Sequence, residues 1–213
     1  MPDETWLLID TSARRGLVAL VVGGTVRSER HLDDARKHAR DLTGVVAELV
    51  REQGATVRDL TGVMVGIGPG SYTGLRVGIV SAKALAFATA CRLVAVPTFE
   101  ATARRLIGVV HVIADGQQGK VYCQRFPGGA LGVRPFADWA ADINESDIVT
   151  GPGVAMYEAA LAGRAIIAPI DERHPTGAGM FDVGRGLPDS GVDAVEPLYL
   201  RGSSAEEKAN APR

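Results

Sequence analysis

Two short segments carry the residue types most able to do chemistry. Ile9-Asp10-Thr11-Ser12 places a carboxylate and two hydroxyls at the end of an apolar run, and Gly66-Ile67-Gly68-Pro69-Gly70-Ser71-Tyr72-Thr73-Gly74-Leu75-Arg76-Val77-Gly78 leads from a buried run into a helical pattern. Glycines in the second segment permit a tight turn that exposes backbone amides at a helix N-terminus, an arrangement able to hold a phosphate. Gly68, Gly70 and Ser71 would supply that cradle. The spacing is not that of a P-loop, because no Gly-Lys-Ser/Thr follows, and it misses the dinucleotide fingerprint as well. A structural turn is therefore the simpler reading.

Metal and nucleophile chemistry find no support in the spacing. The four histidines, His31, His38, His111 and His174, include no pair four apart on one helix, so no two imidazoles are placed to face one ion. There is no His-Glu-x-x-His, and no nucleophile stands beside a base, which removes the peptidase classes. Each histidine reads as a surface or core residue. Cys91 and Cys123 lie far apart without a Cys-x-x-Cys, as free thiols in a reducing compartment would. No metal or cofactor is expected.

The elements that must position these residues come from a chain of 213 residues, 46% hydrophobic, which suits one domain or two small lobes. Lys and Arg number 23 against 25 Asp and Glu, so no general field draws the whole molecule to a polyanion. Arg14-Arg15, Arg104-Arg105 and the cluster Arg36, Lys37, Arg40 read as solvated faces. Near Met1 the chain has acidic residues where a signal peptide needs basic ones, and no apolar stretch is long enough for a bilayer. A soluble cytoplasmic protein without membrane partners is expected.

Along the chain, Trp6–Asp10, Leu17–Val22 and Thr25–His31 predict three meandering strands, with Gly23-Gly24 supplying a hairpin turn. A helix follows from an N-cap at Asp33 or Asp34 to Gln53, and Gly54 ends it. Leu42, Val45, Val46 and Leu49 form its apolar stripe. Val63–Ile67 predicts a strand and Thr73–Thr89 a second helix. That helix carries Gly74, Gly78, Ser81, Ala82, Ala84, Ala86 and Ala88, and internal glycine costs about 1 kcal/mol against alanine, so another backbone should approach it closely. The strand Arg92–Val96 and a helix over Glu100–Leu106 complete a β-β-β-α-β-α-β first lobe, residues 1–106. Val109–Ala114 and Lys120–Phe126 repeat the opening hairpin, and Ile148–Thr150, Ala155–Ala162 and Ala165–Ala168 continue an abbreviated second lobe, residues 107–201. Residues 202–213 read as a polar tail.

The order and spacing of Ile9-Asp10-Thr11-Ser12, Gly-Pro-Gly-Ser-Tyr-Thr-Gly-Leu-Arg and Ala82-Lys83-Ala84-Leu85-Ala86 resemble the TsaB (YeaZ) family. Val96-Pro97-Thr98-Phe99-Glu100-Ala101 and Pro197-Leu198-Tyr199-Leu200-Arg201 extend the resemblance over nearly the whole chain. The stretch Ala114–Tyr122 and the triplet His38-Ala39-Arg40 depart from the family pattern. The resemblance implies an α/β fold of the ASKHA type (actin, sugar kinase and Hsp70 class) with two lobes on related sheets. It also implies a non-catalytic subunit in the synthesis of threonylcarbamoyladenosine on tRNA. Its catalytic paralogue, TsaD, uses two histidines on a helix, and none lies between Val96 and Ala103 here.

On that basis the two first-lobe helices are expected to dock a TsaD-like paralogue. Leu42, Val45, Val46, Leu49, Gly74, Leu75, Gly78, Ser81, Ala82 and Leu85 are the candidate contacts, some of which must serve the internal core. The same face would form a homodimer in the isolated protein. A TsaE-like ATPase and tRNA would be met only through the complex. In ATP-binding relatives a carboxylate at the position of Asp10 orients hydrated magnesium, so Asp10, Thr11 and Ser12 with Gly68, Gly70 and Ser71 form an alternative nucleotide site. The competing reading is that the three side chains satisfy amides of their own turn. The alternative function is a small-molecule kinase or ATPase of the same fold.

Overall fold

Residues 4–32 and 38–200 are described by a computed structural model. The first sheet is built from β1 (Thr5–Asp10), β2 (Gly16–Val22) and β3 (Thr25–Leu32), then helix α1 (His38–Glu52), β4 (Gly62–Gly66), helix α2 (Tyr72–Thr89) and β5 (Arg92–Val96). Its order is β3-β2-β1-β4-β5, with β1 antiparallel to β2 and parallel to β4. The expected β-β-β-α-β-α-β lobe is therefore present. The N-cap expected at Asp33 or Asp34 and the tail over 202–213 lie outside the described residues.

Side-chain alternation explains why these strands read as continuous apolar runs. Leu7 and Ile9 of β1, Val18 and Leu20 of β2 and Val63 and Val65 of β4 point to one face, where they pack on Leu42, Val46 and Leu49 of α1 and Ile79 and Ala82 of α2. Trp6, Leu8, Ala19, Val21 and Met64 point to the other. A strand covered on both faces carries no polar positions to alternate with.

Helix α3 (Thr98–Ala103) joins the two sheets. The second sheet has β6 (Val110–Asp115), β7 (Lys120–Phe126), β8 (Gly132–Pro135), helix α4 (Phe136–Ala140), β9 (Ile148–Thr150), helix α5 (Val154–Leu161) and β10 (Ile166–Ile167). Read from the opposite edge, its order β8-β7-β6-β9-β10 is that of the first sheet strand for strand. The second lobe is thus a complete five-stranded copy. Its abbreviation is in the helices, 5 and 8 residues in α4 and α5 against 15 and 18 in α1 and α2. Strand β8 and helix α4 go beyond the elements expected from sequence, being too short to show a period. Ala101 of α3 packs in the second core of the first sheet, while Phe99 and Ala103 pack on Val110, Val112 and Ala114 of β6.

The last two helices, α6 (Gly177–Gly184) and α7 (Gly191–Ala194), differ from the expected assignment of residues 107–201 to the second lobe. Met180 and Val183 of α6 cover the Trp6, Leu8 and Met64 face of the first sheet. Buried Val195, just beyond α7, joins the core beneath α1 and α2. The first sheet needs this return because α1 and α2 cover only one of its apolar faces. Among the described residues no helix is long and apolar enough to cross a membrane.

Candidate functional site

The fold brings the two chemistry-bearing segments together. Asp10 ends β1, and it and the following Thr11 and Ser12 are almost fully buried. Asp10 Oδ1 accepts from the Ser12 amide at 2.9 Å and from the Ser12 hydroxyl at 2.6 Å. Its Oδ2 accepts from the Thr98 hydroxyl at 2.7 Å, and that same Thr98 oxygen accepts from the Gly68 amide at 3.0 Å. The Ser71 amide donates to the Ser12 carbonyl at 2.6 Å. Each carboxylate oxygen therefore has a protein donor, and the arrangement ties β1, the Gly68–Ser71 turn and α3 together.

Gly68 has φ +101, a conformation that side chains with a Cβ rarely adopt, which accounts for glycine where the chain leaves β4 for α2. Ser71 then caps α2, its hydroxyl accepting from the Gly74 amide at 3.2 Å. The close approach expected along α2 is made by its own lobe. The Thr11 hydroxyl donates to the Gly74 carbonyl at 2.7 Å. A Cβ at Gly74 would overlap the Thr11 carbonyl oxygen, and one at Gly78 would overlap Thr11 Oγ1. Thus Gly74 and Gly78 face inward. So do Leu42, Val46, Leu49, Leu75 and Ala82, each at most 3% exposed. These seven of the candidate contacts serve the core. Helical spacing identifies the stripe but not which of two apolar stripes meets the sheet.

The outer face of α2 carries the apolar surface that sequence reasoning passed over. Tyr72, Val80 and Phe87 are 39%, 63% and 81% exposed. A groove of roughly 450 Å³ runs between α1 and α2, floored by Leu42, Val46 and Val57 and walled by Val80, Ala84 and Leu85, with Ser81 also on its lining. Half-buried Val45 packs against the core beneath it. A shelf formed by Tyr72, Arg76 and Val77 continues the groove past Val80. There the Arg76 guanidinium lies 4.1 Å from the Tyr72 ring centroid, and its Nε donates to the Tyr199 hydroxyl at 2.9 Å. The exposed positions Tyr72, Val80 and Phe87 recur at near-helical intervals, which was the available signal.

Of the histidines, His111 is buried against Asp147, with Nε2 and Oδ2 3.2 Å apart, and burial pushes its pKa down. His31 Nε2 lies 3.4 Å from Glu29, and the side chain of His38 lies outside the described set. His174 is the most perturbed. Burial, with Arg15, His31 and Arg173 nearby, pulls its pKa from 6.5 to about 4. The unfolded chain binds this proton more tightly, so the neutral imidazole's stability is complete above pH 6.5 and is lost as pH falls towards 4. Chemical denaturation at pH 7 and pH 4.5 is expected to show about 2 kcal/mol more pH-dependent loss in wild type than in His174→Phe. Equal losses would remove His174 as the cause. Among the described residues no three His, Cys, Asp or Glu side chains group to hold a metal ion.

Comparison with known proteins identifies the family. An uncharacterized protein of Mycobacterium tuberculosis is 32% identical, covering 97% of this chain and 96% of its own. The Bacillus subtilis tRNA threonylcarbamoyladenosine biosynthesis protein TsaB is 29% identical over 96% of this chain and 97% of its own. The solved structure of YeaZ from Pseudomonas aeruginosa superposes with a TM-score of 0.75 at 23% identity, covering 92% of this chain and all of that one, so the two share the two-lobed ASKHA architecture. The sequence model described as TsaD, tRNA N6-adenosine threonylcarbamoyltransferase, matches residues 12–138, more than half of the chain. This chain accordingly belongs to the TsaD family, in its TsaB/YeaZ branch.

Proposed function

We propose that this protein is a non-catalytic subunit in tRNA threonylcarbamoyladenosine synthesis and acts by docking a TsaD-like paralogue on the outer face of α1 and α2. The observation that carries the reading is the exposed apolar band of Tyr72, Val80 and Phe87 beside the α1–α2 groove. Large exposed apolar patches mark interaction sites, and aromatic anchors dominate their energetics. Since the chain itself matches the TsaD family model across both helices, a paralogue offers a related helix pair, and such pairs can pack as a four-helix interface. The named pathway of the Bacillus subtilis relative supplies the reaction.

In this reading chemistry occurs in the partner. Helix α3, which corresponds by resemblance to the paralogue's metal-binding helix, reads Thr-Phe-Glu-Ala-Thr-Ala and offers no imidazole. The same outer face forms a homodimer when the protein is alone, a TsaE-like ATPase and tRNA join through the complex, and the assembly works in the cytoplasm. The test is the double variant Val80→Arg with Phe87→Glu, which alters only exposed positions and so should leave folding intact. Loss of two such anchors is expected to weaken association with a TsaD-like protein by at least about 30-fold. Reconstituted tRNA modification should fall with it. Wild-type association and modification by this variant would exclude the docking face.

A further inference from the structure

Five residues of α2, Tyr72, Arg76, Val80, Lys83 and Phe87, follow one another at intervals of four, four, three and four, so they lie along one ridge of the helix beside the α1–α2 groove. Their order is symmetrical about Val80, with an aromatic ring at each end, a cation next to each ring and an aliphatic side chain at the centre. Arg76 and Lys83 are the only formal charges in the 18 residues of α2, which holds no Asp or Glu. Helix α1, across the groove, carries charge of both signs, with Arg40 against Asp41 at 2.7 Å and Glu48 one turn before Arg51.

The two cations stand about 10 Å apart along the axis, at the helical rise of about 1.5 Å per residue. Arg76 is held in place by Tyr72, whose ring centroid its guanidinium meets at 4.1 Å, and by the Tyr199 hydroxyl, to which its Nε donates at 2.9 Å. A charge fixed in this way loses little further freedom when a partner arrives. Half-buried Lys83 has no hydrogen bond or ion pair among the described residues. Two copies pairing through antiparallel α2 helices, with the two-fold axis at Val80, would lay Arg76 of each against Lys83 of the other. Like charges facing one another across an interface oppose it, whereas carboxylates at those two places would turn both contacts attractive.

We propose that the α2 ridge selects an acidic partner, a helix of the TsaD-like paralogue with an apolar centre and two carboxylates about two turns apart, opposite Arg76 and Lys83. The inference rests on the docking reading above and adds to it the charge of the surface that docks. The groove and the terminal rings hold the partner through apolar contact, while the cations favour it over a second copy, since charge at the edge of an interface sets selectivity and encounter rate more than affinity.

Association of the whole protein with the TsaD-like paralogue, followed by surface plasmon resonance, tests it. Raising NaCl from about 50 mM to about 500 mM is expected to weaken association about tenfold, mostly through the association rate, because salt screens exposed charges. Lys83→Glu should weaken it about tenfold at the lower salt concentration and flatten the salt dependence, while Lys83→Arg keeps wild-type behaviour. Self-association should move the other way. Sedimentation velocity is expected to show a dimer about tenfold tighter in Lys83→Glu, whose new carboxylate faces Arg76 of the second copy, and a wild-type dimer that salt strengthens. Melting temperatures equal to wild type in both variants separate these effects from lost folding. If Val80→Arg with Phe87→Glu abolishes association, yet wild-type affinity is the same at both salt concentrations or Lys83→Glu binds the paralogue like wild type, the docking face stands and the charge selection falls. Weakening of both the paralogue complex and the self-dimer by Lys83→Glu would overturn it as well, because Lys83 would then act through packing alone. Full association by the Val80 and Phe87 double variant would instead remove the docking face itself.

Discussion

Gly78→Ala is expected to destabilise the protein by about 2–3 kcal/mol, and Gly78→Val by more, against the usual gain of about 1 kcal/mol when alanine replaces glycine in a helix. The new Cβ would occupy the place of Thr11 Oγ1, whose hydroxyl donates to the Gly74 carbonyl on the same helix. Moving Thr11 aside breaks that bond and shifts the end of β1, because Thr11 is 1% exposed and has nowhere to relax. Gly44 provides the comparison. It sits on α1 with no atom within 4 Å of an added Cβ, so Gly44→Ala should stabilise by about 0.5–1 kcal/mol. Urea denaturation of both variants reads the difference in sign. Stabilisation by both would mean that α2 does not press on Thr11, and the small residues of α2 would again be available for docking.

Asp10→Ala should cost about 3–5 kcal/mol, since it leaves the Ser12 amide and the hydroxyls of Ser12 and Thr98 without their buried acceptor. Asp10→Asn should lose about half as much, because an amide oxygen still accepts from Ser12 and the Thr98 hydroxyl can turn to accept from the amide nitrogen. Denaturation midpoints measure both. The same pair addresses the kinase or ATPase alternative, which assigns Asp10 to magnesium and the Gly68–Ser71 turn to phosphate. If Asp10 is spent on the turn, titration of wild type with Mg-ATP gives no saturation, and the Asn variant differs from it only in stability. Saturable binding by the wild type that a folded Asn variant loses would favour the enzyme.

Much of the fold was legible because it is written in local patterns. Alternating or continuous apolar runs identified β1, β2, β4, β5, β6 and β7, and a long amphipathic stripe identified α1. β8, α4 and α7, equally short but without a continuous apolar run, left no period to read. Helix α6 has eight residues, three of them glycine, so its composition resembled a loop. Its place in the structure comes from Met180 and Val183 meeting a sheet whose nearest residues are over eighty positions away.

The candidate site divides the same way. Residue type alone marked the Gly-Pro-Gly-Ser turn, the small-residue helix and the absence of a histidine pair before Ala103, and these are properties of the chain in any environment. Which partner each group meets was decided only by tertiary structure. Thr98 lies eighty-eight positions from the Asp10 carboxylate it bonds, and the two are joined by the stacking of α3 against the β1 turn. Likewise, a helix that is apolar on nearly every side leaves its orientation undetermined until a sheet covers one face. Packing against β1 turned Gly74 and Gly78 inward and left Val80 and Phe87 outside, because burial depends on contacts distant in sequence while periodicity reports only neighbours along the helix.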